Sequence, residues 1–201
     1  MIVEPTDIPG VLLITAPRLV DDRGFFSETW NERRFIEAGI RGPFVQDNHA
    51  HSADRFVVRG LHLQIGPNAQ GKLVRAVRGA IWDVAVDIRP GSPTYRRHVG
   101  VELSAENWQQ LWVPAGLLHG YCTLEPDTEV IYKVTAPYDR PAERGVIWND
   151  PALAIPWPVA PDAVILSDKD RVLPLLADCG EWHHCPSGGF RSGESVPDRG
   201  Q

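Results

Sequence analysis

Cysteine is scarce: Cys122, Cys179 and Cys185 are the whole supply in 201 residues. An odd, sparse set makes a poor disulfide framework and favours a reduced, cytoplasmic setting. Long apolar runs are missing as well, and none approaches the roughly 20 residues that a membrane-spanning helix requires. The opening Met1-Ile2-Val3-Glu4-Pro5 has no basic segment followed by an apolar stretch, so no signal peptide is expected. Positive charge is in deficit, with 20 Lys and Arg against 26 Asp and Glu and a formal net charge of -6. That removes any general pull toward nucleic acid or acidic membranes, and an anionic ligand would have to be met by local arginines. Repeats of the solenoid kind are absent.

Helical pattern is in short supply too. Residues 30–39 are the one good stretch, with Asn31 as a possible cap and Phe35, Ile36 and Ala38 as a partial apolar stripe. Gly and Pro, 18 each, favour many short strands joined by turns. Strand-like runs fall at 11–15, 44–48, 55–64, 97–103, 109–113, 118–124 and 128–135. Asp21-Asp22-Arg23-Gly24 is a turn signal ahead of Phe25-Phe26. Residues 72–89 read as two β-rich runs about Arg78-Gly79, which predicts a hairpin. In its second run Trp82, Val84, Val86 and Ile88 share one face, while Ile81, Asp83, Ala85 and Asp87 share the other. Strands of this length and spacing predict an all-β sandwich or barrel of jelly-roll type with a few short helices. Residues 139–170 are Pro-bearing and loop-rich. One domain is expected over 1–179, with a polar, glycine-bearing, poorly ordered tail over 180–201.

His62, Lys72 and Tyr132 lie on or beside three different predicted strands, so a barrel can bring them together. They would supply a base, a cation and an acid, the equipment for moving a proton on and off a carbon beside a ketone. Taken singly each has a plainer reading: a structural histidine, a surface lysine at a strand start, a core tyrosine with a satisfied hydroxyl.

The motif set carries more than the single residues. In order it runs Asp22-Arg23-Gly24-Phe25-Phe26-Ser27-Glu28, Val45-Gln46-Asp47-Asn48, Arg59-Gly60-Leu61-His62-Leu63-Gln64, Gln70-Gly71-Lys72-Leu73-Val74-Arg75, Asp83-Val84-Ala85-Val86-Asp87-Ile88-Arg89, Pro114-Ala115-Gly116-Leu117-Leu118-His119-Gly120, Tyr132-Lys133, Trp148-Asn149-Asp150-Pro151 and Ser167-Asp168-Lys169-Asp170. Over residues from about 10 to 176 the chain resembles the dTDP-4-dehydrorhamnose 3,5-epimerases, cupin-like enzymes of dTDP-L-rhamnose synthesis. The resemblance implies a cupin-type jelly-roll barrel and a homodimer. It also implies epimerisation of dTDP-4-dehydro-6-deoxy-D-glucose at carbons 3 and 5, without a cofactor.

The same resemblance assigns roles. His62 becomes the base and Asp170 the carboxylate that orients it, Lys72 stabilises the enolate, and Tyr132 returns the proton. Arg23 and Arg59 are candidates for the pyrophosphate, since guanidinium pairs with phosphate in bidentate fashion. Glu28, Gln46, Asn48, His119, Glu143 and Lys169 match substrate-contact positions. Asp83 and Asp87 stand outside the catalytic set, one expected beside the site within the barrel and the other at its rim. No metal is expected: the paired histidines of a metal-holding cupin are broken by Gln64, and Lys72 would repel a divalent ion. His183, His184 and Cys185 with Cys179 could take zinc only adventitiously. The rival readings are a single-site epimerase of the same fold, a metal-dependent cupin dioxygenase, and a sugar-nucleotide binding module without activity.

Overall fold

The computed structural model describes residues 1–180. The expected tail, with its His183, His184 and Cys185, lies outside the described residues. Among the described residues thirteen strands form: β1 (Ile2–Pro5), β2 (Leu12–Thr15), β3 (Leu19–Asp21), β4 (Gly24–Phe26), β5 (Gln46–Ser52), β6 (Val58–Gln64), β7 (Lys72–Arg78), β8 (Ala80–Asp87), β9 (His98–Ser104), β10 (Gln109–Val113), β11 (Leu117–Thr123), β12 (Thr128–Val134) and β13 (Glu143–Gly145). Two short α-helices accompany them, α1 (Glu32–Glu37) and α2 (Asp168–Arg171). One sheet has the order β1-β2-β10-β7-β12-β5 and the other β13-β6-β11-β8-β9; β3 and β4 form a separate ribbon. Every pairing between these strands is antiparallel. This is the jelly-roll architecture that the strand spacing predicts.

The alternation of β8 explains how the sheets stack. Ile81 and Ala85 face Val74, Leu111, Val113 and Val130 of the other sheet and close the interior with Leu103 and Tyr121. Val84, Val86 and Ile88 point the opposite way, into a second cluster with Leu61, Leu63, Leu118, Val146 and Leu153. Both faces are therefore apolar, and the Pro-bearing segment after residue 139 covers the outer one. Trp148 is buried there against Val58 and Cys122. Asp150 pins the segment, its carboxylate accepting from the Ala152 and Leu176 amides at 2.7 and 2.6 Å.

Four sequence expectations need correction. The runs about Gly79 are not a hairpin: β7 pairs with β10 and β12, β8 with β11 and β9, and Gly79 carries the chain from one sheet to the other. A single residue is too short for a hairpin turn. Its φ of +67° and the approach of Thr128, whose Oγ1 would lie 2.4 Å from an added Cβ, leave room only for glycine. The helix over 30–39 is shorter, and Ile36 is exposed while Phe35 alone is buried in it; Asn31 caps it, accepting from the Arg34 amide at 3.2 Å. The strand at 44–48 begins at Gln46 and continues to Ser52, and the run from 55 becomes strand only at Val58.

The pairing of β6 with β11 contains an irregularity that matters for chemistry. His62 stands opposite His119 and Arg59 opposite Tyr121, so Gly60 and Leu61 face the single residue Gly120. The extra residue turns Arg59 and His62, three apart, toward the same interior. It requires two backbones almost in contact: a Cβ on Gly60 would lie 2.6 Å from the Gly120 Cα and 2.9 Å from the His119 carbonyl oxygen. Gly60 also has a φ of +129°. Gly60→Ala is expected to destabilise the fold by roughly 2–3 kcal/mol, read as a lowered urea midpoint; an unchanged midpoint would refute the close-approach argument.

Candidate active site

The interior faces of β5, β6, β7, β11 and β12 converge on one polar region. On β6, His62 Nε2 lies 2.5 Å from Asp170 Oδ1. Asp170 is almost fully buried, and α2 holds it there: Ser167 caps the helix by accepting from the Asp170 amide at 3.1 Å. Burial alone would raise the Asp170 pKa, but the hydrogen bond and charge of His62 and the Ser167 contact outweigh it and keep the group below its usual range. Asp170 is thus a carboxylate, Nε2–H is its donor, and Nδ1 is left with the lone pair.

Tyr132 projects from β12 on the facing sheet, between Asn48 of β5 and Val74 of β7. Burial pushes its phenol up, Arg59 draws it back down, and Glu143 adds to the rise, so the phenol keeps its proton at neutral pH. Lys72 opens β7 on the same interior face. Its Nζ reaches Gln70 Oε1 at 3.4 Å, and burial lowers its pKa to about 8 against a partial counter-pull from Glu143. Glu143 on β13 accepts from Lys169 Nζ at 2.6 Å and from Tyr138 Oη at 3.1 Å. Burial raises its pKa, yet Lys169, Tyr138 and His62 together bring it below the ordinary value.

The other candidates divide into two groups. Gln46 and Asn48 share the inner face of β5 and are joined at 2.7 Å. Arg59 is braced by the His51 carbonyl at 3.0 Å and by Ser52 Oγ, with the rest of its guanidinium exposed. His119 Nε2 meets buried Asp83 Oδ1 at 2.8 Å. These join His62, Lys72, Tyr132, Asp170, Glu143 and Lys169. Arg23 and Glu28 do not. Arg23 lies in the β3–β4 turn, exposed, with Asp21 as its partner, and Glu28 follows the ribbon and faces Arg34 at 3.2 Å.

Sequence reasoning missed Tyr138. Its backbone amide donates to Gln46 Oε1 at 3.0 Å and its hydroxyl to Glu143, which fixes an exposed ring at the mouth. A lone aromatic in a Pro-bearing loop was the available signal. Asp87 stays apart, bonded to Arg89, Ser92 and Thr94 at the end of β8. The residues present do not fit a divalent ion. Gln64 spends its amide on the carbonyls of Asn68 and Pro137 and on the Asp139 amide. His119 is committed to Asp83, and Lys72 shares the interior.

Chemically, an imidazole backed by a carboxylate stands on one sheet and a protonated phenol on the other, with a desolvated ammonium on the interior face of β7. That set can remove a proton from one side of a carbon, steady a developing oxyanion, and deliver a proton from the other side.

The model of the family described as dTDP-4-dehydrorhamnose 3,5-epimerase matches residues 5–178. A dTDP-4-dehydrorhamnose 3,5-epimerase of Pseudomonas aeruginosa is 52% identical over 172 residues, 85% of this chain and 93% of that protein. The crystal structure of the Bacillus anthracis dTDP-4-dehydrorhamnose 3,5-epimerase, with TDP and PPi bound, superposes with a TM-score of 0.84 at 49% identity, covering 87% of this chain and 98% of the other. A Legionella pneumophila dTDP-6-deoxy-D-glucose-3,5-epimerase in complex with dTDP-4-keto-L-rhamnose gives 0.86 at 41% identity, covering 90% and 96%.

Burial of Lys72 has a pH signature. Because its folded pKa lies below its ordinary 10.5, the unfolded chain binds the proton more tightly, and stability rises as pH climbs from about 8 toward 10.5. Wild type is expected to gain unfolding free energy relative to Lys72→Met between pH 7 and pH 10. Parallel pH curves for the two proteins would place Lys72 in water.

Proposed function

The chain belongs to the dTDP-4-dehydrorhamnose 3,5-epimerase family, and we propose that His62, Asp170, Lys72 and Tyr132 carry its reaction. The enzyme is an isomerase that inverts carbons 3 and 5 of dTDP-4-dehydro-6-deoxy-D-glucose to give dTDP-4-dehydro-L-rhamnose. The observation that carries the residue assignment is the carboxylate-backed His62 on one sheet and the Tyr132 phenol on the other, both within electrostatic reach of Glu143.

Carbons 3 and 5 flank the same carbonyl, so one base, one oxyanion site and one acid can serve both. His62 Nδ1 takes the proton from the carbon, and Asp170 stabilises the imidazolium that results. Electrons move onto the carbonyl oxygen, where the Lys72 ammonium meets the enolate charge. Tyr132 Oη then donates to the opposite face of the carbon. Arg59 is suited to the pyrophosphate, His119, Gln46, Asn48, Glu143 and Lys169 to the sugar and its nucleotide, and the Tyr138 ring offers a flat face to a base.

Arg23 and Glu28 enter through a second copy of the chain. The ribbon that bears Arg23 exposes Leu19, Val20, Phe25 and Phe26, an apolar surface that the monomer leaves uncovered. A homodimer in which each ribbon reaches the partner's barrel mouth would cover it and deliver both residues to the site. The odd cysteine count favours a cytoplasmic enzyme.

Incubation with the substrate in heavy water tests the reaction: deuterium at carbons 3 and 5 is expected, and label at one carbon with a single inverted product would make it a mono-epimerase. His62→Ala is expected to lose on the order of 10²–10⁴-fold in turnover with the fold intact, and a variant keeping a tenth of the rate would remove His62 as base. Mixing inactive Arg23→Ala with inactive His62→Ala is expected to restore activity neither has alone, because the mixed dimer holds one complete site. No recovery after demonstrated subunit exchange would keep the ribbon in its own protomer's service.

A further inference from the structure

The exposed ring at the mouth is held more firmly than an exposed ring needs to be. Tyr138 is 55% exposed, yet both peptide groups that flank its Cα are bonded to side chains. The Pro137 carbonyl accepts from Gln64 Nε2 at 3.1 Å, and the amide of the same peptide group, on Tyr138, donates to Gln46 Oε1 at 3.0 Å. The following amide, on Asp139, donates to Gln64 Oε1 at 2.9 Å. The phenol hydroxyl donates to Glu143 Oε2 at 3.1 Å. Backbone and tip are therefore both fixed, from β5 on one sheet and from β6 and β13 on the other.

Gln64 is the residue on which these ties converge. It closes β6, stands opposite Glu143 in the β6–β13 register, and is only 3% exposed. The second hydrogen of its amide goes to the Asn68 carbonyl at 2.7 Å, and Asn68 Nδ2 in turn donates to Asp139 Oδ2 at 2.6 Å. A primary amide carries two donors and an acceptor in one plane, and these bonds use all three. A carboxylate would lose both donors, and an apolar chain of the same length would lose everything. Burying a polar side chain to hold a segment that ends in solvent has a physical use: a ring ordered in advance spares a ligand the cost of ordering it on binding.

We propose that Gln64 is a positioning residue for the nucleotide: it fixes the backbone on either side of Tyr138 so that the ring stands ready at the mouth as a stacking face. The inference rests on the reading, given above, that a base lies against that ring. Gln64 itself touches no ligand in this account and acts through Tyr138.

A double-mutant cycle tests it. Affinity for dTDP is measured by calorimetry in wild type, Gln64→Met, Tyr138→Ala and the double variant, with near-ultraviolet circular dichroism to confirm the fold. Gln64→Met keeps the length of the chain and removes all three bonds. It is expected to weaken dTDP by on the order of 10-fold, within the range of one base–aromatic contact, and to raise KM for the sugar nucleotide by more than it lowers kcat. The double variant is expected to bind no more weakly than Tyr138→Ala, because the ring that Gln64 positions is already gone. Should Gln64→Met not fold, Asn68→Ala cuts only the tie to the Asp139 side chain and repeats the cycle, with a smaller loss that again vanishes without the ring. Unchanged dTDP affinity in the folded variant, losses that add in the double variant, or a fall in kcat alone would overturn the positioning role. Undiminished affinity in Tyr138→Ala would instead overturn the stacking on which it rests.

Discussion

Two backbones touch where β6 crosses β11, and the site depends on it. Gly60 and Gly120 approach so closely that neither tolerates a side chain. The approach accommodates one extra residue in β6, and that residue aims both Arg59 and His62 into the barrel. Regular alternation would have sent one of them outward, into the apolar layer with Leu61 and Leu63. The same stretch of β11 points His119 and Tyr121 inward. A strand irregularity thus gathers what a regular strand would have separated.

The second constraint is electrostatic. The site holds Lys72 in a buried position where its charge is only just kept, at a pKa of about 8. A cation so poorly solvated gains most when an oxyanion forms beside it, which is when an enolate needs it. Glu143 tempers this: it raises the pKa of Lys72 and of Tyr132, and it is itself held ionised by Lys169 and Tyr138. The short helix α2 ties both halves together, with Asp170 on the base and Lys169 on Glu143. Moving that one turn of helix would disturb the imidazole and the mouth at once.

Much of this was legible in the sequence and some was not, for physical reasons. The central strands showed themselves through alternation and turn residues, and Trp82 to Ile88 was assigned its two faces correctly. Gly79 misled because local pattern cannot tell a tight hairpin from a link between sheets, a choice made by distant partners. Strands β1 and β13 are short and owe their pairing to neighbours, so they carried no signal of their own. His62, Lys72 and Tyr132 could be picked out by residue type. Asp170 could not, standing 108 residues from its partner on a helix of four; only the resemblance to a family singled it out. The engagement of Asp83 with His119, and the isolation of Tyr121, depend on register, which no single strand reveals.

The central claim is that the base and the acid address opposite faces of one sugar ring. A crystal structure of the protein with its dTDP-4-keto sugar or a close analogue tests it most directly. The hexose is expected inside the barrel, with His62 Nδ1 over one face, Tyr132 Oη over the other, and the carbon 4 oxygen turned to Lys72. A ring with both side chains on the same face, or a sugar seated outside the barrel, would contradict it.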